Sequence, residues 1–289
     1  MPTALRTDPT RTLGLQNKFG AVLKQRARLA HSLVIHKIKK DGLDLANSQA
    51  GFIVKQTMLG LDTHGNYWFA KYLTQAHRRG LFRAWDETKK VQGDKFTHTN
   101  KDEWAVTQIQ NYRPHPKSLF VANTTPAITP VAPGTLNPII VSVGIIIDDF
   151  GNDISAAVEA AIQDAIDQGL SPADAAREIA LQTGIDPARA LRIARTEIVR
   201  AFAEAALDGF ANLGVEELGV MAEWLTAGDD RVCPRCQSME GQRFSIEDAR
   251  GQIPLHPNCR CAWIPYVPLP ELPPVHSAGP NDPGIPHHP

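Results

Sequence analysis

No apolar run in this chain approaches the length needed to cross a bilayer. The most apolar, Ile139–Ile147, falls far short of the roughly 18 residues that a spanning helix requires. The first residues, Met1–Arg11, hold no hydrophobic stretch of the kind that opens a secretory signal. Cytoplasmic synthesis without a membrane partner is therefore expected, and in that compartment thiols stay reduced. Aromatics are scarce at 7%, the 289 residues contain only four cysteines, and the net charge is only −1. The composition also excludes collagen-like, coiled-coil and wholly disordered chains, because 43% hydrophobic residues suffice for a real core.

What is present is unevenly spread. Of 22 prolines, six lie in Arg113–Pro138 and nine in Ile264–Pro289. Met1–Tyr112 carries 18 Lys and Arg against 9 Asp and Glu, whereas Val121–Pro289 sets 10 Arg against 22 carboxylates. A basic front of this kind suits a polyanion, either nucleic acid or an acidic protein surface; the plainer reading is a solvated helical face.

Helical spacing runs over Leu13–Lys40, stopping at Asp41-Gly42, then over about Ala46–Leu59, then from Asn66 to Lys90. In the third stretch Phe69, Tyr72, Leu73, Ala76, Gly80 and Ala84 mark one buried face. Lys90–Asn111 is polar and poorly periodic. After the prolines, Asp153 is a good N-cap for a helix over Ile154–Gln168 with Gly169 as its stop, and Asp148-Asp149 reads as a turn. Ser171-Pro172 and Asp186-Pro187 open two further helices, ending near Gly184 and at Gly214. In the last of these, small residues along Leu191, Ala194, Ile198, Ala201, Phe202, Ala205 and Gly209 would admit another helix closely. The fold class expected is mainly α: a basic helical N-terminal region over 1–112, a Pro-rich linker over 113–138, a domain over 139–266 and a Pro-rich, disordered tail over 267–289. Three helices open the third segment, and a small irregular α+β module at 224–263 closes it.

That module is rich in Gly, Pro, Cys and charge and short of helical period, so apolar burial alone would not hold it. Cys233-Pro-Arg-Cys236 followed by His256-Pro-Asn-Cys259-Arg-Cys261 has the spacing of a structural zinc site. Five candidate donors serve four positions: Cys233, Cys236 and His256, with Cys259 or Cys261 as the fourth. Reduced thiols with only a packing role are the alternative. A redox Cys-x-x-Cys would need a helix after a strand to lower its thiol pKa, and Gln237–Gly241 is too short for one. The rival enzyme reading is a metal-dependent nuclease or other nucleic-acid-processing effector, with His256 as base and Asp229 or Asp230 holding a catalytic ion.

The order Arg195-Thr196-Glu197, Trp224–Asp229, Val232–Cys236, Gly241, Phe244 and Pro254–Cys261 resembles the C-terminal region of the Mu F-type phage minor head, or head morphogenesis, proteins. The resemblance spans roughly Asp153–Pro265. It implies a minor capsid protein without catalysis of its own, made in the host cytoplasm, that works in procapsid assembly and stays inside the virion head. The implied partners are the portal protein, scaffold or major capsid protein, and packaged double-stranded DNA, with roles in packaging or ejection. It also implies structural roles for Arg195, Thr196, Glu197, Trp224, Asp229 and Gly241, and a staple made by the cysteines and His256. Arg195 and Glu197 point to different sides of a helix, so each needs a partner elsewhere; the plainer reading of the two is a solvated ionic face.

Overall fold

The computed structural model describes residues 8–61, 66–111, 138–182, 187–213 and 221–266. Asp8–Thr12 caps the first helix: Asp8 accepts the Leu13 N–H at 2.8 Å, and the Thr12 carbonyl accepts that of Gln16 at 2.9 Å. α1 (Leu13–Asp41) then runs to Gly42, whose φ of 87° turns the chain into α2 (Leu43–Leu59). The two lie against each other, and Arg26 donates to the Thr57 carbonyl at 2.6 Å. α3 (Ala70–Gln92) buries the predicted stripe, including Phe69, Tyr72, Leu73, Ala76 and Ala84.

The polar stretch after it holds a helix that periodicity did not reveal. In α4 (Lys101–Gln110) Asn100 accepts the Glu103 N–H at 3.1 Å and donates back to its carboxylate at 3.0 Å. This reciprocal cap, with Ala105 buried beside Leu81 and Ala205, makes a short polar segment helical.

α5 (Pro138–Asp167) corrects the expected start at Ile154. The apolar run before it is helical too, and Val143, Ile147 and Phe150 join the core. Asp153 is therefore no cap; it sits mid-helix in an ion pair with Arg189. Nor does Asp148 make a turn: it is nearly buried and faces Lys55. Gly151 leaves room for Met58 and Val54 of α2, which fastens the two helices together along this stretch. Gly169 stops α5 as predicted, at φ 65°, with the Leu170 N–H reaching back to the Ala165 carbonyl. Ser171 caps α6 (Pro172–Gln182), accepting from Asp174 at 3.2 Å. α7 (Pro187–Asn212) follows.

α7 is the spine of the molecule, buried on nearly every side from Ile198 to Leu207. Its small residues meet α3 as the sequence predicted. A Cβ at Gly80 would lie 2.2 Å from the Phe202 carbonyl oxygen, and one at Gly209 would lie 2.3 Å from the Ala84 Cβ. One apolar cluster thus runs from Leu15 through Tyr72 to Val143 and Ala201, crossing the boundary that composition suggested. The proline-rich segments mark a change of chain texture, while the core passes straight between the helices on either side. Most of the expected linker, the expected tail, and the stops at Gly184 and Gly214 lie outside the described residues. Among the described residues no helix is long and apolar enough to cross a membrane.

Candidate metal centre

After α7 the chain makes a three-stranded antiparallel sheet in the order β2-β1-β3. β1 (Met221–Leu225) is central, flanked by β2 (Arg243–Phe244) and β3 (Ala262–Tyr266). Its register sets Trp224 opposite Trp263, and their rings meet edge to face at 5.2 Å. Phe244 edges onto Trp263 at 5.7 Å. Both indoles are fully buried, in a cluster that also takes Trp85 from α3 and Val199, Ala203, Leu207 and Phe210 from α7. The module is therefore less poor in core than its sequence suggests, because part of its interior is borrowed from the helices beneath it. Gly241, at φ 75°, turns the chain so that its N–H reaches the Trp224 carbonyl at 2.9 Å.

The five predicted donors converge at one edge of this sheet. Cys233 caps α8 (Pro234–Gln237), its sulfur accepting the Cys236 N–H at 3.3 Å, an arrangement that lowers its thiol pKa. His256 Nε2 lies 3.1 Å from both the Cys233 and Cys236 sulfurs. Its other ring nitrogen, Nδ1, lies 2.8 Å from the Pro257 carbonyl. That carbonyl can only accept, so the proton belongs on Nδ1 and the Nε2 lone pair faces the sulfurs, the tautomer a metal needs. Cys236 and Cys259 sulfurs are 3.9 Å apart, and Cys236, Cys259 and Cys261 lie mutually within 4.8 Å.

A tetrahedral zinc with Zn–S near 2.3 Å and Zn–N near 2.0 Å would place its sulfurs about 3.8 Å apart and sulfur and nitrogen about 3.5 Å apart. The Cys236–Cys259 spacing matches such an ion and the sulfur–imidazole spacings come near it; no four of the five donors lie mutually within 4.8 Å, so a fourth must move inward to close the tetrahedron. The structure yields two triads, Cys233–Cys236–His256 and Cys236–Cys259–Cys261, joined at Cys236. Hydrogen bonding from Cys236 holds Cys259 low as the favoured thiolate, and the same contact pushes Cys236 up. Without a cation, the buried cluster accommodates one negative charge easily and a second only at cost. A divalent ion removes that restriction.

Asp229, which the nuclease reading would place on a catalytic ion, is turned elsewhere. Both of its oxygens accept from the Arg260 guanidinium, at 2.7 and 2.6 Å, and Arg231 adds a third contact at 3.0 Å. The Arg260 fork holds its carboxyl far below the usual carboxylate range. Its work is to tie the turn after β1 to the segment before β3 that carries Cys259 and Cys261.

The Arg195-Thr196-Glu197 turn of α7 lies under the module. Thr196 Oγ1 accepts the Asn258 N–H at 3.2 Å, two residues from His256. Glu197 is buried rather than solvated and pairs with Arg200 at 3.1 Å; its burial raises the carboxyl's pKa. Arg195 Nε is buried without a hydrogen-bond partner among the described residues. Sequence reasoning missed a second set of ties about two and three turns along. Glu204 accepts the Gly251 N–H at 2.8 Å, and Arg250 bonds Asp208 at 2.7 Å, with Glu204 at 3.6 Å. The signal was there: two acids four residues apart in a stretch, residues 201–211, otherwise dominated by Ala and Phe.

Residues 156–264 match the family described as Phage Mu protein F like protein. The match runs from the middle of α5 to β3, so it takes in α6, α7 and the whole Cys/His module and agrees with the resemblance read from the sequence. That family is of phage head morphogenesis type. No curated protein and no solved structure matches the chain.

Proposed function

We propose that this chain is a minor head protein that acts without catalysis in procapsid assembly and is retained inside the head. Its Cys/His module, closed by a structural zinc ion, is the docking surface for the portal protein or for scaffold or major capsid protein. The observation that carries this reading is the coincidence of the family match with one physical unit: α7, the ion ties to Arg250 and Gly251, and the five convergent donors. The closed character of the donor set supports a structural ion. Every donor is Cys or His, and Asp229, the acid a catalytic-ion reading would use, is occupied by arginines.

Zinc at this site would supply folding energy. Cys233, Cys236 and His256 would hold it with Cys259 or Cys261. The Pro257 carbonyl would keep the imidazole in its ligating tautomer.

The test has two parts. Metal analysis of freshly purified protein should find one zinc per chain. Purified proheads should contain the chain in few copies, and proheads from a host that cannot make it should be deficient in portal-linked assembly. Absence of the chain from heads would overturn the reading. Neighbouring reading frames for portal, scaffold and capsid proteins would strengthen it.

A further inference from the structure

We infer that a groove on the basic face of the molecule binds the phosphate backbone of double-stranded nucleic acid; the inference rests on the reading that the chain works in a DNA-filled head. The groove, about 720 Å³, lies between the Thr10–Arg11 cap, α3 and the start of α4. Six cations line it, Arg11, Arg79, Arg83, Lys89, Lys90 and Lys101, against Asp86 and Glu87. Arg79, Arg83 and Lys90 follow one another at four and seven residues on a single face of α3. At 1.5 Å per residue that is a row of positive charge about 16 Å long.

Backbone carbonyls orient the guanidiniums of Arg79 and Arg83, and of the two only Arg83 also meets a carboxylate. Arg79 donates to the Arg11 carbonyl at 2.8 Å and Arg83 to the Pro9 carbonyl at 3.1 Å. Glu87 is shared between Arg83 and Lys90, both at 3.1 Å, and Asp86 takes Lys101 at 2.6 Å. Arg11, Arg79 and Lys89 have no carboxylate in ion-pair range among the described residues. The charge left over is four, in a concave surface that focuses its field.

The chemistry favours backbone phosphate over a base or a protein. Phe82, a half-buried ring of the groove, already carries Arg78 at 5.0 Å and Lys101 at 4.7 Å, so no aromatic face is open for base stacking. Half of the lining cations are lysines, a residue depleted in protein interfaces and suited to phosphate as a point charge.

The test uses the full chain, because α3 is packed on α7. Binding of a short fluorescent duplex of mixed sequence is followed by anisotropy while salt is raised. With four net contacts, wild-type affinity should fall on the order of 100-fold between about 50 and about 200 mM salt. Lys89→Gln with Lys90→Gln, which alters only exposed side chains, should halve the logarithmic slope, giving a fall of about 10-fold. Lys39→Gln with Lys40→Gln on α1 should leave the slope as in wild type. An unchanged slope in the groove variant, or no duplex binding by wild type at low salt, overturns the inference. Retention on polyglutamate instead of duplex would reassign the groove to an acidic protein. Presence in purified heads is scored separately. Duplex binding by a chain absent from heads removes the head assignment and leaves the groove standing, and the converse result does the reverse.

Discussion

Around α1 and α7 the interior is built from Phe19, Leu23, Ala27, Val34, Ile198 and Ala201, all of them exposing no surface. Around the sheet, two tryptophans and three cysteine sulfurs share the inside, with the half-buried His256 at its margin, and the loops between strands carry most of the chain. The first region holds by summed apolar area, distributed over many residues. The second concentrates its stability in a few contacts: the donor cluster, the Trp224–Trp263 pair and the ion ties to α7. A region of the first kind should soften gradually as contacts are removed, and one of the second should fail at single points.

The largest test of that contrast is metal removal. Structural zinc in small modules carries roughly 10–16 kcal/mol of apparent binding energy. Chelation, or Cys236→Ser, should therefore remove the near-UV contribution of Trp224 and Trp263 while far-UV helicity largely persists. Loss of both together would show that the two regions are one cooperative unit. Next comes Arg250→Met, which leaves Glu204 and Asp208 buried without their cation and should cost about 3–5 kcal/mol, seen as a lower denaturation midpoint.

Asp208 supplies a pH test. Its burial pushes its pKa up to about 6, from an ordinary 3.8. The folded state then holds the proton more tightly than the unfolded one, so stability falls as pH rises from about 4 through about 6. The size of the fall is on the order of 3 kcal/mol. Urea midpoints across that range should show the decline in wild type and lose it in Asp208→Asn.

Within the helical body, Gly80→Ala forces a methyl against a backbone carbonyl and should cost about 1–3 kcal/mol. Gly14→Ala, where a Cβ meets nothing within 4 Å, should be neutral or slightly stabilising. A modest loss is expected at Ser171→Ala, about 1 kcal/mol for a lost N-cap on α6, measured as a shift in thermal midpoint.

What the sequence disclosed divides along the same line. Local signals were reliable. The Asp41-Gly42 stop, the Phe69–Ala84 stripe, Ser171 and Gly169 all act within a turn or two of themselves, and the Cys/His spacing picked out the five residues that come together in two triads. α4 was hidden because its short segment has little apolar period, although Asn100 and Glu103 spelled its cap. The start of α5 was hidden because Asp153 has the chemistry of a cap, and only Arg189, 36 residues on, gives it other work. The ties of Glu204 and Asp208 to the module, and the shared core of the two halves, depend on pairings across long stretches of chain that no local pattern records.

The interlock of Gly80 with Phe202 and of Gly209 with Ala84 has a consequence for how the chain tolerates being cut. These contacts join segments that lie on opposite sides of residues 112–137, so a single backbone scission there would not release either piece. The fragments should co-elute in native buffer, separate in denaturant, and reassemble when expressed as two polypeptides, which makes this chain a ready scaffold for split-protein complementation.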